Sequence, residues 1–424
     1  MNVLWVVNTI FPDLATALNQ KTPTAGGWMY GLAKDLCGMG IKLTVVTARP
    51  SVPKFQKEIG GITYYLLSGS VSREKYDRSL ETEWQNITAQ IKPHLVHIHG
   101  TEYAHGLALI NACPELVYVT SIQGLIYSYT KYYFGGIPSK DFYRHITFRD
   151  IFKQDSVFQA YKKFKKKGID IELTYLRRIQ DFIGRTQWDF DQVKTVNPGS
   201  NYHFCNESLR DPFYTSKKWD ILSKTEHTIF LSQAGYPLKG LHKVIEASVI
   251  VKKFFPKLAI RIAGSNITKK NTLKDKMSIK GYGSYINSLI KKNGLQDQVT
   301  FTGPLNADQM VEEYLNAHIF ICPSSIENSP NSLGEAQLLG VPCISSYVGG
   351  VADMVTDKET GLLYRFEEVV MLAQRIMDIF KDNQLAKTLS KNGMEAASDR
   401  HDRDKNASRL VEIYNTLGKK NDVE

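Results

Sequence analysis

Cysteine is scarce in this chain of 424 residues: Cys37, Cys113, Cys205, Cys322 and Cys343 stand far apart, with no C-x-x-C pair. That argues against a disulfide framework and against a structural zinc site. Long apolar runs are missing as well, since no stretch approaches the roughly 20 residues that a helix needs to cross a bilayer. The opening MNVLWVV has no basic leader or cleavage site and reads as a first buried strand, so a cytoplasmic location is expected. Internal repeats and low-complexity tracts are also lacking. With 42% hydrophobic and 23% charged residues, the composition excludes fibrous and extensively disordered classes.

What is present is length and positive charge. The chain exceeds one core of ordinary size, which predicts two large domains. Lys and Arg number 53 against 43 Asp and Glu, a net charge of +10 that favours anionic partners. The excess is concentrated: residues 144–178 hold ten basic and four acidic side chains, or +6 of the +10.

The apolar pattern alternates between strands and helices. A strand over residues 3–7 leads to the loop AGG at 25–27, then to a helical face of Trp28, Leu32, Leu36 and Met39. Gly40 ends that helix, and residues 42–47 form the next strand. Residues 95–99 and 117–122 continue the alternation. In the second half, strands at 229–232, 258–263, 299–302, 319–322 and 342–345 alternate with helices at 241–254, 284–293, 307–316 and one opening near Asn331. This predicts an α/β protein with two Rossmann-like parallel-sheet domains facing across a cleft, where open α/β sheets bind ligands. Turn signals at NPG 197–199 and DP 211–212 place the boundary between about residues 196 and 223. The division is residues 1–205, residues 206–395, and a C-terminal helix and tail over 396–424 that packs back on the first domain.

The run ENSPNSLGE at 327–335 sets Glu327 on a loop and Glu335 on the helix that follows, so the two carboxylates grip a ligand from two sides. Ser329, Asn331, Ser332 and Leu333 bring backbone N–H groups to a helix N-terminus, a seat for phosphate. Glu335 suits a ribose diol and Glu327 suits sugar hydroxyls. Taken alone, two glutamates at this spacing are more often a solvated helix face. Context weighs against that: GYPLKG at 235–240 carries Lys239 on a strand-to-helix loop, AGS at 263–265 ends another strand with Ser265, and Gly349, Gly350 and Gly361 mark further loops at the same sheet edge.

The block IFICPSSIENSPNSLGEAQLLGVPC at 319–343, with VGG at 348–350, TGLL at 360–363 and LKG at 238–240, resembles the retaining glycosyltransferases of the family-4 type, glycosyl transferases group 1, with the GT-B fold. The likeness is strong over 229–366 and loose over the first half. It implies a transfer with retention from an NDP-sugar of UDP or GDP type, with no cofactor and no metal ion. It also implies that Glu327 lies near the transferred sugar, Glu335 binds the nucleotide ribose, Lys239 neutralises the leaving diphosphate, and Gly27 lets the first domain's loop approach it. The chain departs from the family twice. Gln233 and Ala234 stand where an Arg commonly precedes the Lys, and Gln123 stands where many members carry a His.

On the acceptor side, VHIHGTEYAH at 96–105 offers His99 beside Gln123, while His97 reads as structural; no ligand set at metal spacing completes the pair. YKKFKKK at 161–167, preceded by Phe142, Phe148, Ile151, Phe152 and Phe158, interleaves aromatic and basic residues. Residues 142–178 are read either as a face for an anionic membrane surface or as a solvated helix with its aromatics on the core. Nucleic acid is not expected, for want of a recognised module. The expected function is transfer of a sugar to a glycan or lipid-linked acceptor in cell-surface polysaccharide synthesis, at the inner face of the membrane. The alternatives are a nucleotide-sugar epimerase, a sugar phosphorylase, or a sugar-nucleotide-binding subunit without turnover.

Overall fold

The computed structural model describes residues 1–21, 26–50, 52–73 and 75–419. Ala25 of the glycine loop and the tail beyond Lys419 lie outside the described residues.

Two compact units emerge, neither continuous in sequence. The first comprises Met1–Thr130, Lys163–Arg210 and His401–Glu424; the second comprises Lys131–Lys162 and Asp211–Arg400. A single cut at residue 205 therefore misses one exchange: residues 131–162 belong with the second unit. Local bonds explain the placement. Ser325 Oγ donates to the Tyr132 carbonyl (3.1 Å), His242 Nε2 to the Gly135 carbonyl (2.8 Å), and Thr147 Oγ1 to the Ile279 carbonyl (2.8 Å).

In the first unit, strands β1 (Asn2–Val6), β2 (Lys42–Arg49), β3 (Phe55–Ile59), β4 (Ile62–Ser68), β5 (Leu95–His99), β6 (Tyr118–Ser121), β7 (Asp181–Gly184) and β8 (Asn201–Phe204) form one sheet in the order β3-β4-β2-β1-β5-β6-β7-β8. All neighbours run parallel except β3 and β4. That pair is a hairpin turned by Gly60 and Gly61, both at positive φ (59° and 80°), as a tight hairpin turn requires. Both sheet faces are covered. Trp5, Leu43 and Val45 pack with Leu32 and Leu36 of the helix Gly27–Gly38 and with Leu410, Ile413 and Tyr414 of the helix Arg403–Gly418; Leu4, Val6 and Val46 pack with Trp84, Leu107 and Tyr175. Burial on both faces is why the strands read as apolar runs rather than alternating ones.

The second unit repeats the plan with β9 (Thr228–Leu231), β10 (Ala259–Ala263), β11 (Val299–Gly303), β12 (Ile319–Cys322), β13 (Cys343–Ser346) and β14 (Leu362–Tyr364), all parallel in the order β11-β10-β9-β12-β13-β14. The chain moves outward one way from β9 and the other way from β12. Strand order thus reverses between these two neighbours, which opens a crevice at their carboxyl ends.

Candidate active site

Both sides of that crevice carry a predicted residue. Lys239 ends the short turn Pro237–Lys239 that follows β9, and Glu327 sits on the loop after β12. Their side chains form an ion pair, with only 11% and 10% of their side-chain surface exposed. Ser324 Oγ donates to the same Glu327 oxygen (2.7 Å). Burial pulls the Lys239 ammonium toward deprotonation, but the Glu327 carboxylate and the nearby Tyr236 outweigh it, so Lys239 is held above its ordinary range and stays charged.

Two glycines let the loops meet. Gly240 (φ 71°) lies so near the Pro323 carbonyl that any side chain would collide with it, and Gly349 (φ 51°) stands equally close to the Glu327 carbonyl. Ser325 N–H donates to the Leu238 carbonyl (2.8 Å), and Gly350 N–H to the Glu327 carbonyl (3.1 Å). Glu327 is thus fixed at backbone and side chain alike.

Eight positions on, Glu335 lies within the helix Asn331–Leu338 and is 5% exposed. The solvated-face reading fails here, because residues 333–338 of this helix are all buried. Leu333 and Gly334 donate to the Pro330 carbonyl, which leaves the Asn331 and Ser332 N–H groups without an intrahelical acceptor. The buried Asn331 Oδ1 has no hydrogen-bond partner among the described residues, Ser329 is buried with its Oγ toward Met354, and the Ser332 carbonyl accepts from the Tyr314 hydroxyl. Ser265, after β10, is exposed.

A cavity of about 980 Å³ opens in the same unit, lined by Ser325, Ile326 and Gly349 together with Tyr132, Lys243 and Arg365. It adjoins the loop that bears Glu327, but Glu327, Lys239 and Glu335 are not among its lining residues.

In the first unit the strand order reverses between β1 and β5. Gly27 opens a helix there and lies against the Arg210 side chain, which would have to give slightly to admit a methyl group. His99 is 4% exposed, stacked on His97 at 3.9 Å, with neither ring nitrogen hydrogen-bonded among the described residues; burial lowers it to about 3. His97 is held by the Tyr414 hydroxyl (2.5 Å) and Ser121 Oγ (2.6 Å), a structural role. Gln123 Nε2 donates to Glu207 Oε1 (2.9 Å), and Arg185 forms an ion pair with the other Glu207 oxygen. Arg185 and Glu207 escaped the sequence reading because they follow β7 and β8, two short strands it did not assign. Arg185 carried a signal, as a charged residue directly after the apolar stretch FIG at 182–184; Glu207, which follows the mixed run NYHFCN, carried none.

Residues 215–396 match the family model described as glycosyl transferases group 1. That stretch belongs to this family. The capsular polysaccharide biosynthesis glycosyltransferase CapM of Staphylococcus aureus is 25% identical over 185 residues, 43% of this chain and 44% of CapM. The chain spans only 33–45% of the length of the first curated relatives it matches. Among solved structures, sucrose-phosphate synthase from Thermosynechococcus elongatus aligns with a TM-score of 0.71 over 98% of this chain and 99% of its own, at 16% identity. HepE of Anabaena, solved in complex with UDP-glucose, aligns at 0.64 over 98% and 100%, at 12% identity. At these identities the likeness establishes the fold, the two parallel-sheet α/β domains of GT-B proteins. The group 1 stretch contains Lys239, Glu327 and Glu335, and it contains both strands that flank the crevice.

Proposed function

We propose that this protein is a retaining, metal-independent glycosyltransferase that moves a sugar from a nucleoside-diphosphate sugar of UDP or GDP type to a glycan or lipid-linked acceptor in polysaccharide synthesis. The observation that carries this reading is the buried Lys239–Glu327 pair at the switch point of the second sheet. Support also comes from the group 1 match, the likeness to CapM, a glycosyltransferase of capsular polysaccharide biosynthesis, and the UDP-glucose complex of HepE.

In this reading Lys239 faces the diphosphate. As the bond between the anomeric carbon and the phosphate oxygen breaks, negative charge builds on the leaving group, and a fixed cation in a dry site stabilises that charge. Glu327 keeps Lys239 charged and aligned, and accepts hydrogen bonds from the transferred sugar. The N-terminal turn of the helix Asn331–Leu338 offers N–H groups to phosphate. Glu335 accepts from the ribose diol, and Ser265 borders the nucleotide. On the acceptor side, His99 packs against Trp28, the residue after Gly27, and Gln123 serves as a hydrogen-bond donor, not as an acid. The acceptor oxygen attacks from the face that the diphosphate leaves.

The test is to incubate the full chain with a panel of UDP- and GDP-sugars and follow both thermal stabilisation and release of the nucleoside diphosphate. One or more donors should stabilise the fold and turn over. Stabilisation with no turnover, even with candidate acceptors present, would instead favour a binding subunit; no stabilisation by any donor would reject the site.

A further inference from the structure

Most of the aromatic residues in the basic segment are already occupied. Phe134, Phe142, Phe158 and Tyr161 pack on one another, with ring centroids 4.7–5.9 Å apart. The lysine run at 161–167 therefore does not present a row of free aromatic rings. Just before it, on the helix Phe148–Phe152, the pattern inverts. Phe148, Ile151 and Phe152 are 58%, 69% and 75% exposed, and the two rings stack at 5.8 Å.

A second helix lies alongside it. Leu273 and Met277 on Leu273–Ser278 are 78% and 58% exposed. The two helices are tied together: Thr147 Oγ1 donates to the Ile279 carbonyl (2.8 Å) and Arg149 Nη1 to the Ser278 carbonyl (3.2 Å). Reciprocal caps fix each start, Thr147 with Asp150 and Thr272 with Asp275. Five large apolar side chains are thus displayed in water from a rigid base, more than isolated surface residues account for.

The surrounding charge is one-sided. All four acids nearby are engaged: Asp150 in its cap, Asp155 with Arg149 and Lys280, Asp275 in its cap and with Lys269, and Asp141 with Arg144. Lys140, Lys153, Lys274 and Lys276 are exposed and carry no ion pair among the described residues. We propose that these two helices form a docking face for an anionic lipid bilayer, with the apolar residues entering the acyl boundary and the four lysines meeting headgroup charge. The inference adds a partner to the transferase reading and does not depend on it.

Sedimentation of the full chain with vesicles tests it, using phosphatidylcholine alone or mixed with phosphatidylglycerol. Binding is expected only to the mixed vesicles, and to fall as salt rises. Phe148→Ser with Phe152→Ser should weaken it about tenfold or more per ring. Lys274→Glu with Lys276→Glu should weaken it without changing the melting temperature. The idea is overturned if the wild type fails to sediment at low salt, or if the ring variant binds equally well. It is also overturned if the rings instead hold two copies of the chain together, seen by light scattering as a dimer that the ring variant dissolves. Nucleotide-sugar turnover without vesicles reports on the transferase reading alone.

Discussion

Lys239 and Glu327, 88 positions apart in sequence, meet as a buried ion pair where the strand order of the second sheet reverses. A pair in this position has two jobs in tension. It stabilises the fold while intact, and under the proposed function Lys239 must also face a diphosphate. Glu327 is what keeps a cation waiting there.

Removing either partner is expected to hurt twice. Lys239→Met should lower nucleoside-diphosphate release on the order of a hundredfold. It should also lower the melting temperature, because an orphaned buried charge costs about 3–5 kcal/mol. Glu327→Gln should behave alike, whereas the double variant should regain much of the stability and none of the turnover. Full activity in either single variant would remove that residue from the reaction.

Glu335 acts on the donor and not on the bond that breaks. Glu335→Ala should raise the donor concentration needed for half-maximal rate several-fold, with a smaller change in kcat. Donor titration by thermal shift checks this, and an unchanged affinity would contradict the ribose assignment.

Gly240 tests how tightly the two loops are joined. Gly240→Ala combines a left-handed backbone (φ 71°) with a collision against the Pro323 carbonyl, so destabilisation beyond about 1 kcal/mol is expected, with loss of turnover. Gly294→Ala is the control: its φ is 61°, but nothing lies within reach of an added methyl. Equal melting temperatures for the two variants would show that the loops have room to separate.

Five buried histidines set the acid limb of stability. Burial holds His99, His242 and His318 near 3, His105 near 4, and His97 well below its ordinary value. Each is neutral when folded and charges freely when unfolded. The stability they contribute is therefore complete above about pH 6.5 and is lost as pH falls toward their folded values. Melting temperature should drop steeply below about pH 6.5. His99→Phe, which sacrifices no hydrogen bond among the described residues, should shallow that slope by about one proton. An unchanged slope would show that His99 is not held neutral by the fold.

Much of this architecture was legible because parallel strands buried on both faces leave largely apolar runs, and β1, β2, β5, β9 and β12 all stand out that way. The β3–β4 hairpin did not, since its polar edge strand carries Gln56, Lys57 and Glu58 exposed. The spacing of Glu327 and Glu335 was visible, but their burial was not, because a glutamate in a sequence carries no sign of what covers it. Least readable was the second unit's claim on residues 131–162. It depends on contacts such as Tyr132 to Ser325, which join positions 193 apart.

Tyr414 takes a hydrogen bond from Trp5 across 409 positions and touches His97 across 317. On the ribosome, the first sheet must therefore wait about 400 residues before the helix Arg403–Gly418 arrives to cover it. Until then Trp5, Leu43 and Val45 lack part of their cover, and such unpaired apolar surface is what chaperones recognise and what aggregates. Removing the C-terminal helix Arg403–Gly418 should thus be felt first as a low yield of soluble protein, before any defect in chemistry can be measured.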